Sequence, residues 1–290
     1  MAGAPGKAGP PGLVRDGKAP GQPPDAGAAG QASHQHQGPL QAYGEVTKEE
    51  KDNDTSKHAP AARGGDPAVR RLSVPLILDR VKAAGLELAG GGCMDAAILT
   101  VSPEMKVVGT ALTVEAGEGD NFPIHLASYS QAGDGYVMVI DGKGYMGRAY
   151  FGDLIMGACQ AAGFEGMVVD GCTRDREGNI ALGFPVYSRG LMPRGPVKKD
   201  QGEVNVPIRC AGVEVEPGDL VMGDSDGVCV IPRQHIETVL AEAEKKLVYE
   251  EKRTETITAY RKAREKGSPL PQLAPQWVLD LLEKDGGAAD

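Results

Sequence analysis

A chain of 290 residues can hold one large domain or two small ones, and a formal charge of -9 without a dense basic block argues against a phosphate-backbone footprint. No apolar run reaches the roughly 18 residues of a membrane span, and no early apolar stretch reads as a signal peptide, so a cytoplasmic protein without nucleic-acid or membrane partners is expected. Outside the first 66 residues only His125 and His235 remain, too few for a three-histidine zinc site, so any metal is expected to be held mainly by oxygen.

In chain order, residues 1–66 are rich in Gly and Pro and hold only Leu13, Val14, Leu40 and Val46 from the large aliphatic set. That is too little apolar surface to offset the entropy of ordering, so a disordered arm is expected. Gly3, Gly6, Gly9 and Gly12 keep the collagen triplet spacing, but the period lapses after Gly12. The folded part should begin near Asp66 or Pro67. Leu76, Ile77, Val81 and Ala84 give helical spacing over Pro75–Ala84. Lys106–Ala116 is β-branched and strand-like, and Pro123–Gly133 reads as a helix with Pro in its first turn and Gly as its stop.

Tyr136–Ile140 is a continuous apolar run of the kind buried on both faces of a sheet. A loop, DGKGYMGRAYFG, is expected next, then a helix over Asp153–Ala162 ended by Gly163, then a strand over Met167–Asp170. This strand-helix-strand unit places its two strands parallel. From Pro185 onward PVYSRG, VNVPIRC, GVEV, DLVMGD and GVCVIP read as short strands of an antiparallel or mixed sheet. Asp224–Gly227 reads as a hairpin turn rather than a calcium loop, because the twelve-residue ligand pattern is incomplete. A long helix follows Pro232, with Ile236, Val239, Leu240, Ala243 and Leu247 as its stripe. The five cysteines, Cys93, Cys159, Cys172, Cys210 and Cys229, form no CxxC pair and are expected to be free thiols.

In an open α/β sheet, ligands bind beyond the carboxyl ends of the parallel strands. The loop ending at Gly152-Asp153 and the loop beginning Gly171-Cys172-Thr173-Arg174-Asp175 leave neighbouring strands at the same end, so residues 22 apart can face one pocket. The N–H groups of Leu154 and Ile155, with the helix dipole, suit a substrate carboxylate, and Gly152 lets the backbone come close. Asp175 offers the hard oxygen that Mg2+ or Mn2+ prefers. Arg174 can fork onto a carboxylate or polarise a keto oxygen, and Asp153 can order water or move a proton. Such a site suits reactions that pass through an enolate next to a carboxylate. Simpler roles stand beside these: Asp153 as a helix N-cap, Arg174 with Asp175 as a surface ion pair, and Lys143 as a solvated loop lysine rather than a Schiff-base former. Arg189, Arg194, Lys198 and Lys199 are either partners for a second carboxylate or a solvated basic patch.

The ordered set GTALTV, GDL at a helix start, VVDGCTRD and PGDLVMGDSDGVCVIP resembles the family of regulator of ribonuclease activity A-like (RraA-like) proteins and 4-hydroxy-4-methyl-2-oxoglutarate aldolases, from about Leu72 to Gly267. The resemblance implies an α/β fold, a compact swivelling β/β/α-type domain with a parallel βαβ core, additional short strands and a long C-terminal helix. It sets domain limits of 1–66 for the arm, 67–267 for the aldolase-like domain and 268–290 for a C-terminal tail. It implies a homotrimer or homohexamer and a divalent-metal lyase that releases pyruvate from a 4-hydroxy-2-oxo acid and decarboxylates oxaloacetate. By the same resemblance Asp175 matches the metal ligand, Arg174 the arginine on the keto oxygen, Asp153 the carboxylate acting through water on the metal, and Leu154 and Ile155 the amides on the pyruvate carboxylate. A glutamate from the neighbouring subunit's long helix is also implied, with Glu250, Glu251 and Glu255 as candidates. The alternative is a non-catalytic, protein-binding regulator of ribonuclease. Such regulators commonly lack the aspartate at the helix mouth that is present here as Asp153. A methyltransferase reading lacks a glycine-rich loop after the first strand.

Overall fold

The computed structural model describes residues 67–130, 133–199 and 201–286, so the reading of 1–66 as a disordered arm lies outside the described residues. Two helices open the described chain: α1 (Pro67–Arg70) and α2 (Val74–Ala83), the latter capped by Ser73, whose hydroxyl accepts from Leu76 N–H at 3.4 Å. Then follow β1 (Leu99–Thr100), β2 (Val107–Ala116), α3 (Phe122–Ser130), β3 (Tyr136–Ala149), α4 (Asp153–Ala161), β4 (Gly166–Thr173), α5 (Arg176–Leu182) and β5 (Val186–Leu191). The rest comprises β6 (Gly202–Val204), β7 (Ile208–Cys210), β8 (Val213–Val215), β9 (Leu220–Asp224), β10 (Gly227–Ile231), α6 (Ile236–Lys266) and α7 (Gln276–Gly286).

The architecture is mixed α/β. One sheet runs β1-β5-β4-β3-β2-β9-β10, with β6 paired to β2. Strands β2, β3, β4 and β5 are mutually parallel, whereas β1, β6 and β9 join antiparallel. The central strands are buried on both faces, which is why Tyr136–Ile140 and Met167–Val169 carry no alternation. On one face Ile124, Ile155 and Met156 of α3 and α4 pack on Leu112, Met138 and Met167. The other face is covered by the β7–β8 hairpin, where Ile208, Val213 and Val215 meet Val137, Val139 and Val168. At the β9–β10 end α2 and α6 close a third cluster around Ile77, Leu220, Ile231 and Leu240.

Several expectations change. The loop after Ile140 is instead a continuation of β3, which rejoins β4 at Tyr145 and Ala149 after two register shifts. Lys143 and Gly144 take left-handed backbone there (φ 57° and 68°), which kinks the strand without ending it. The segment PVYSRG belongs to the parallel part of the sheet, because the unanticipated helix α5 carries the chain back beside β4. VNVPIRC is split between β6 and β7: Asn205 has φ 62° and Pro207 has no N–H to give a ladder. The tail holds α7, whose Trp277, Val278, Leu281 and Leu282 recur at helical spacing. Asp224 makes the expected hairpin turn, accepting from Asp226 N–H (2.9 Å) and, through its other oxygen, from Val74 N–H (2.8 Å). No helix among the described residues is long and apolar enough to cross a membrane.

Candidate active site

Parallel pairing of β3 with β4 brings the start of α4 and the exit of β4 to one end of the sheet. Helix α4 begins at Asp153, with Gly152 as its cap residue and no side-chain cap of its own. Asp153 is therefore the first helical residue, and the N-cap role open to it in the sequence falls to Gly152. The end of β4 is tied to the same spot: Arg174 N–H and the Thr173 hydroxyl both donate to the Phe151 carbonyl at 3.2 Å.

Asp175 then takes left-handed backbone (φ 58°, ψ 45°), a conformation uncommon for a residue with a Cβ and concentrated at functional positions. That turn swings its carboxylate across onto α4. Its Oδ2 accepts from Asp153 N–H at 3.3 Å and from Arg174 Nε at 3.2 Å. The close approach depends on Gly152, because a Cβ there would lie 2.0 Å from Asp175 Oδ2 and 3.0 Å from Arg174 Nε. Arg174 also passes beneath Gly195, where an added Cβ would meet Nη1 at 2.9 Å. Both side chains of the pair stay a little over a third exposed, so the contact with each other is a screened one.

Asp153, partly buried, lies over α5: a Cβ on Gly178 would meet its Oδ2 at 2.8 Å. Its carboxylate makes no ion pair or hydrogen bond among the described residues. Leu154 is 83% exposed at the helix mouth, and its N–H has no partner among the described residues. Ile155 is placed differently from expectation, since its N–H donates to the Gly152 carbonyl at 3.1 Å. The first-turn amide left without a partner among the described residues is thus that of Leu154, while Asp153 N–H faces the Asp175 carboxylate.

The remaining candidates separate. Arg189 is committed to Asp170 through Nε and to Asp95 at 3.1 Å, and is far from free for a substrate. Lys143 bridges Asp141 (2.6 Å) and Glu115 (2.7 Å); burial pulls its pKa down, but the hydrogen bonds to these two carboxylates outweigh that and raise it, opposing the Schiff-base reading. Arg194 Nη1 reaches the Gly147 carbonyl at 3.5 Å. Glu251 pairs with Arg71 at 2.6 Å and Glu250 lies 4.0 Å from Lys246, while Glu255 has no ion pair among the described residues. Among the described residues no group of three or more His, Cys, Asp or Glu side chains converges as a metal cage.

The β2–α3 loop, the next crossover at this sheet end, holds a feature that the sequence reading passed over. Asp120 is fully buried and accepts from Phe122 N–H (2.9 Å) and Lys199 N–H (2.8 Å). Beside it Asn121 is 4% exposed; its Nδ2 is 3.4 Å from His125 Nε2, and its Oδ1 is buried without a hydrogen bond in the described residues. Burial, followed by the charge of Lys198, lowers the His125 pKa. The Gly-Asp-Asn triplet just before a helix was the available signal.

Residues 76–230, more than half of the chain, match the RraA-like family, described as Aldolase/RraA. The chain belongs to the RraA-like family. A relative from Halalkalibacterium halodurans, provisionally named a 4-hydroxy-4-methyl-2-oxoglutarate aldolase, is 44% identical over 153 residues, 53% of this chain and 72% of its own. Among solved structures, an uncharacterized protein from Pseudomonas syringae pv. tomato aligns with TM-score 0.54 at 24% identity, covering 70% of this chain and 92% of its own. The RraA-like protein RraAS2 of Streptomyces coelicolor, described as an unusual member of the RNase ES inhibitor family, aligns with TM-score 0.54 at 24% identity over 63% of this chain and 92% of its own. These two likenesses establish the shared RraA-like fold.

Proposed function

We propose that this protein is a divalent-metal-dependent carbon-carbon lyase that cleaves a 4-hydroxy-2-oxo acid of the 4-hydroxy-4-methyl-2-oxoglutarate type to pyruvate, with oxaloacetate decarboxylation as a side activity. One observation carries the reading: Asp175, Arg174 and the first amide of α4 meet over Gly152, and the carboxylate of Asp153, on that same first residue of α4, lies over Gly178 and is unpaired among the described residues. The name of the Halalkalibacterium halodurans relative supports the same substrate class.

The donor set suits Mg2+ or Mn2+ filled out by water better than it suits zinc, since it offers carboxylate oxygen and no sulfur or imidazole. Asp175 is the residue that would hold the ion through Oδ1, which has no partner among the described residues. When bound, the ion supplies Lewis-acid stabilisation of negative charge on the substrate's oxygens.

The chain's own groups divide the remaining work. The unpartnered amide of Leu154, at the positive end of α4, holds the substrate carboxylate. Arg174 donates to the 2-keto oxygen, which gains charge as the C3–C4 bond breaks and its electrons flow into the pyruvate enolate. Asp153 serves the 4-hydroxyl proton, whose loss turns that carbon into the departing carbonyl. Protonation of the enolate at C3 completes pyruvate. In the same proposal residues 67–267 are the catalytic domain, the assembly is a homotrimer or homohexamer, and a glutamate from the outer half of α6 serves the neighbouring subunit's site.

The test is pyruvate release from 4-hydroxy-4-methyl-2-oxoglutarate and from oxaloacetate, with Mg2+ and with EDTA, for the parent and Asp175→Ala. Metal-stimulated release that EDTA and the substitution both abolish, with circular dichroism unchanged, is the expected result. Turnover surviving chelation removes the metal, and near-parental rates in Asp175→Ala remove the site. A protein with no turnover that binds ribonuclease tightly is the non-catalytic regulator instead.

A further inference from the structure

Cys93 and Cys229 lie opposite each other in an antiparallel bridge on β10, the last strand in the sheet order. Met94 N–H donates to the Val228 carbonyl at 3.0 Å, which makes Cys93 and Cys229 the non-hydrogen-bonded pair of that bridge. Such pairs bring Cα atoms to about 4.5 Å, within the roughly 4.4–6.8 Å that a disulfide spans, with both side chains on one face. The approach is built into the backbone. Gly90, Gly91 and Gly92 are consecutive left-handed residues (φ 62°, 68° and 75°), and a Cβ on Gly92 would sit 3.1 Å from the Val230 carbonyl. The positive φ together with this close approach favours glycine where the segment meets β10. The other thiols have different neighbours: Cys159 meets Ser128, Cys172 meets Met146 and Cys210 meets the Ile140 carbonyl.

We propose that Cys93 and Cys229 are a disulfide-forming pair, a modification site at which a low-molecular-weight disulfide converts two free thiols into an intrachain cross-link. Cys93 is exposed and Cys229 buried, which sets the order of events. The Cys93 thiolate attacks one sulfur of the small disulfide, forming a mixed disulfide and expelling one small thiolate. Cys229 then gives up its proton and attacks Cys93 Sγ, expelling the second. The protein loses two electrons and two protons, and one small disulfide becomes two thiols. In the reduced state Cys93 Sγ turns to the Met94 carbonyl at 3.4 Å, so closure needs only side-chain rotation. Burial raises both thiols, which favours the reduced pair until the solution is alkaline or oxidising. Closed, the bond pins the glycine segment to the β9–β10 hairpin.

The experiment exposes the full chain to oxidised glutathione at about pH 8, where more of the exposed thiol is ionised. Remaining thiols are alkylated after denaturation, and peptides are mapped without reductant. Expected is a peptide pair joined through Cys93 and Cys229, a protein lighter by two hydrogens, and full reversal by dithiothreitol. Cys93→Ser, a change at an exposed position, should give no cross-link and keep all four other thiols alkylatable. A glutathione adduct that stays on Cys93, a full complement of five free thiols, or a cross-link through any other cysteine overturns the assignment. These readouts do not depend on lyase activity.

Discussion

Two regions gather charge at the carboxyl ends of the same parallel strands, and they treat it in opposite ways. On the face under the β7–β8 hairpin, strand register pairs Glu115 with Asp141, and Asp170 and Arg189 each follow the last paired residue of β4 and β5, Val169 and Ser188, before those ladders shift register. Every member is neutralised locally: Lys143 bridges Glu115 and Asp141, and Arg189 joins Asp170 to Asp95, while Asp170 also accepts from Ala211 N–H at 2.9 Å. At the α4 mouth the ledger of partners is left open. Asp175 has one oxygen engaged, the Asp153 carboxylate has none engaged among the described residues, and the amide of exposed Leu154 has no partner among them. A row of ionic side chains that satisfies itself is structural; a row with spare oxygens and donors can take a ligand.

The two regions should differ most in their response to a change at Gly152. Gly152→Ala puts a methyl where Asp175 Oδ2 now sits, so the carboxylate must move by more than an ångström. Pyruvate release should fall by about 100-fold or more, because displacement on that scale costs about that much in a positioned site. Urea unfolding should change far less, since the carboxylate is already more than a third exposed. Equal losses of rate and stability would show that Gly152 serves packing alone. Asp170→Ala does the reverse. It leaves Arg189 with Asp95 alone and the buried Ala211 amide without its acceptor, and removing one partner of a largely buried pair costs about 3 kcal/mol. Its unfolding free energy from urea titration should drop by about that amount while turnover per folded molecule stays close to parental. A large loss of turnover in the folded variant would join the two regions into one site.

What was readable in the sequence follows from how local each cause is. Continuous apolar runs marked β3 and β4, their lengths required a crossover helix, and strand polarity placed Asp153 and Asp175 at one end. The turn that aims Asp175 was not readable, because Asp rarely takes left-handed backbone and nothing nearby announces it. Hence the sequence points to the amides of Leu154 and Ile155, whereas the short first turn of α4 ties Ile155 N–H to Gly152 and leaves Asp153 N–H facing the carboxylate. Arg189 was equally opaque, since its partners Asp95 and Asp170 are 94 and 19 residues away. The continuation of β3 through DGKGYMGRA was hidden by glycines that ordinarily signal a loop.

The smallest expected effect lies at the β2–α3 loop, which has features of both regions: a fully satisfied Asp120 and an Asn121 with one unmatched oxygen. His125 stacks on Tyr129 with ring centroids 6.1 Å apart, and faces Asn121 and Lys198. Burial and then Lys198 hold its folded pKa below the ordinary value of 6.5. The unfolded chain therefore takes up a proton more readily than the folded one. Stability is untouched well above pH 6.5 and falls as pH drops through 6.5 toward the depressed folded value. His125→Gln keeps a polar group beside Asn121 and removes the titration. Urea midpoints measured from neutral to mildly acidic pH should decline less steeply in the variant than in the parent. Parallel declines would mean that His125 charges as easily in the folded protein as in water, and that the loop is open to solvent on that side.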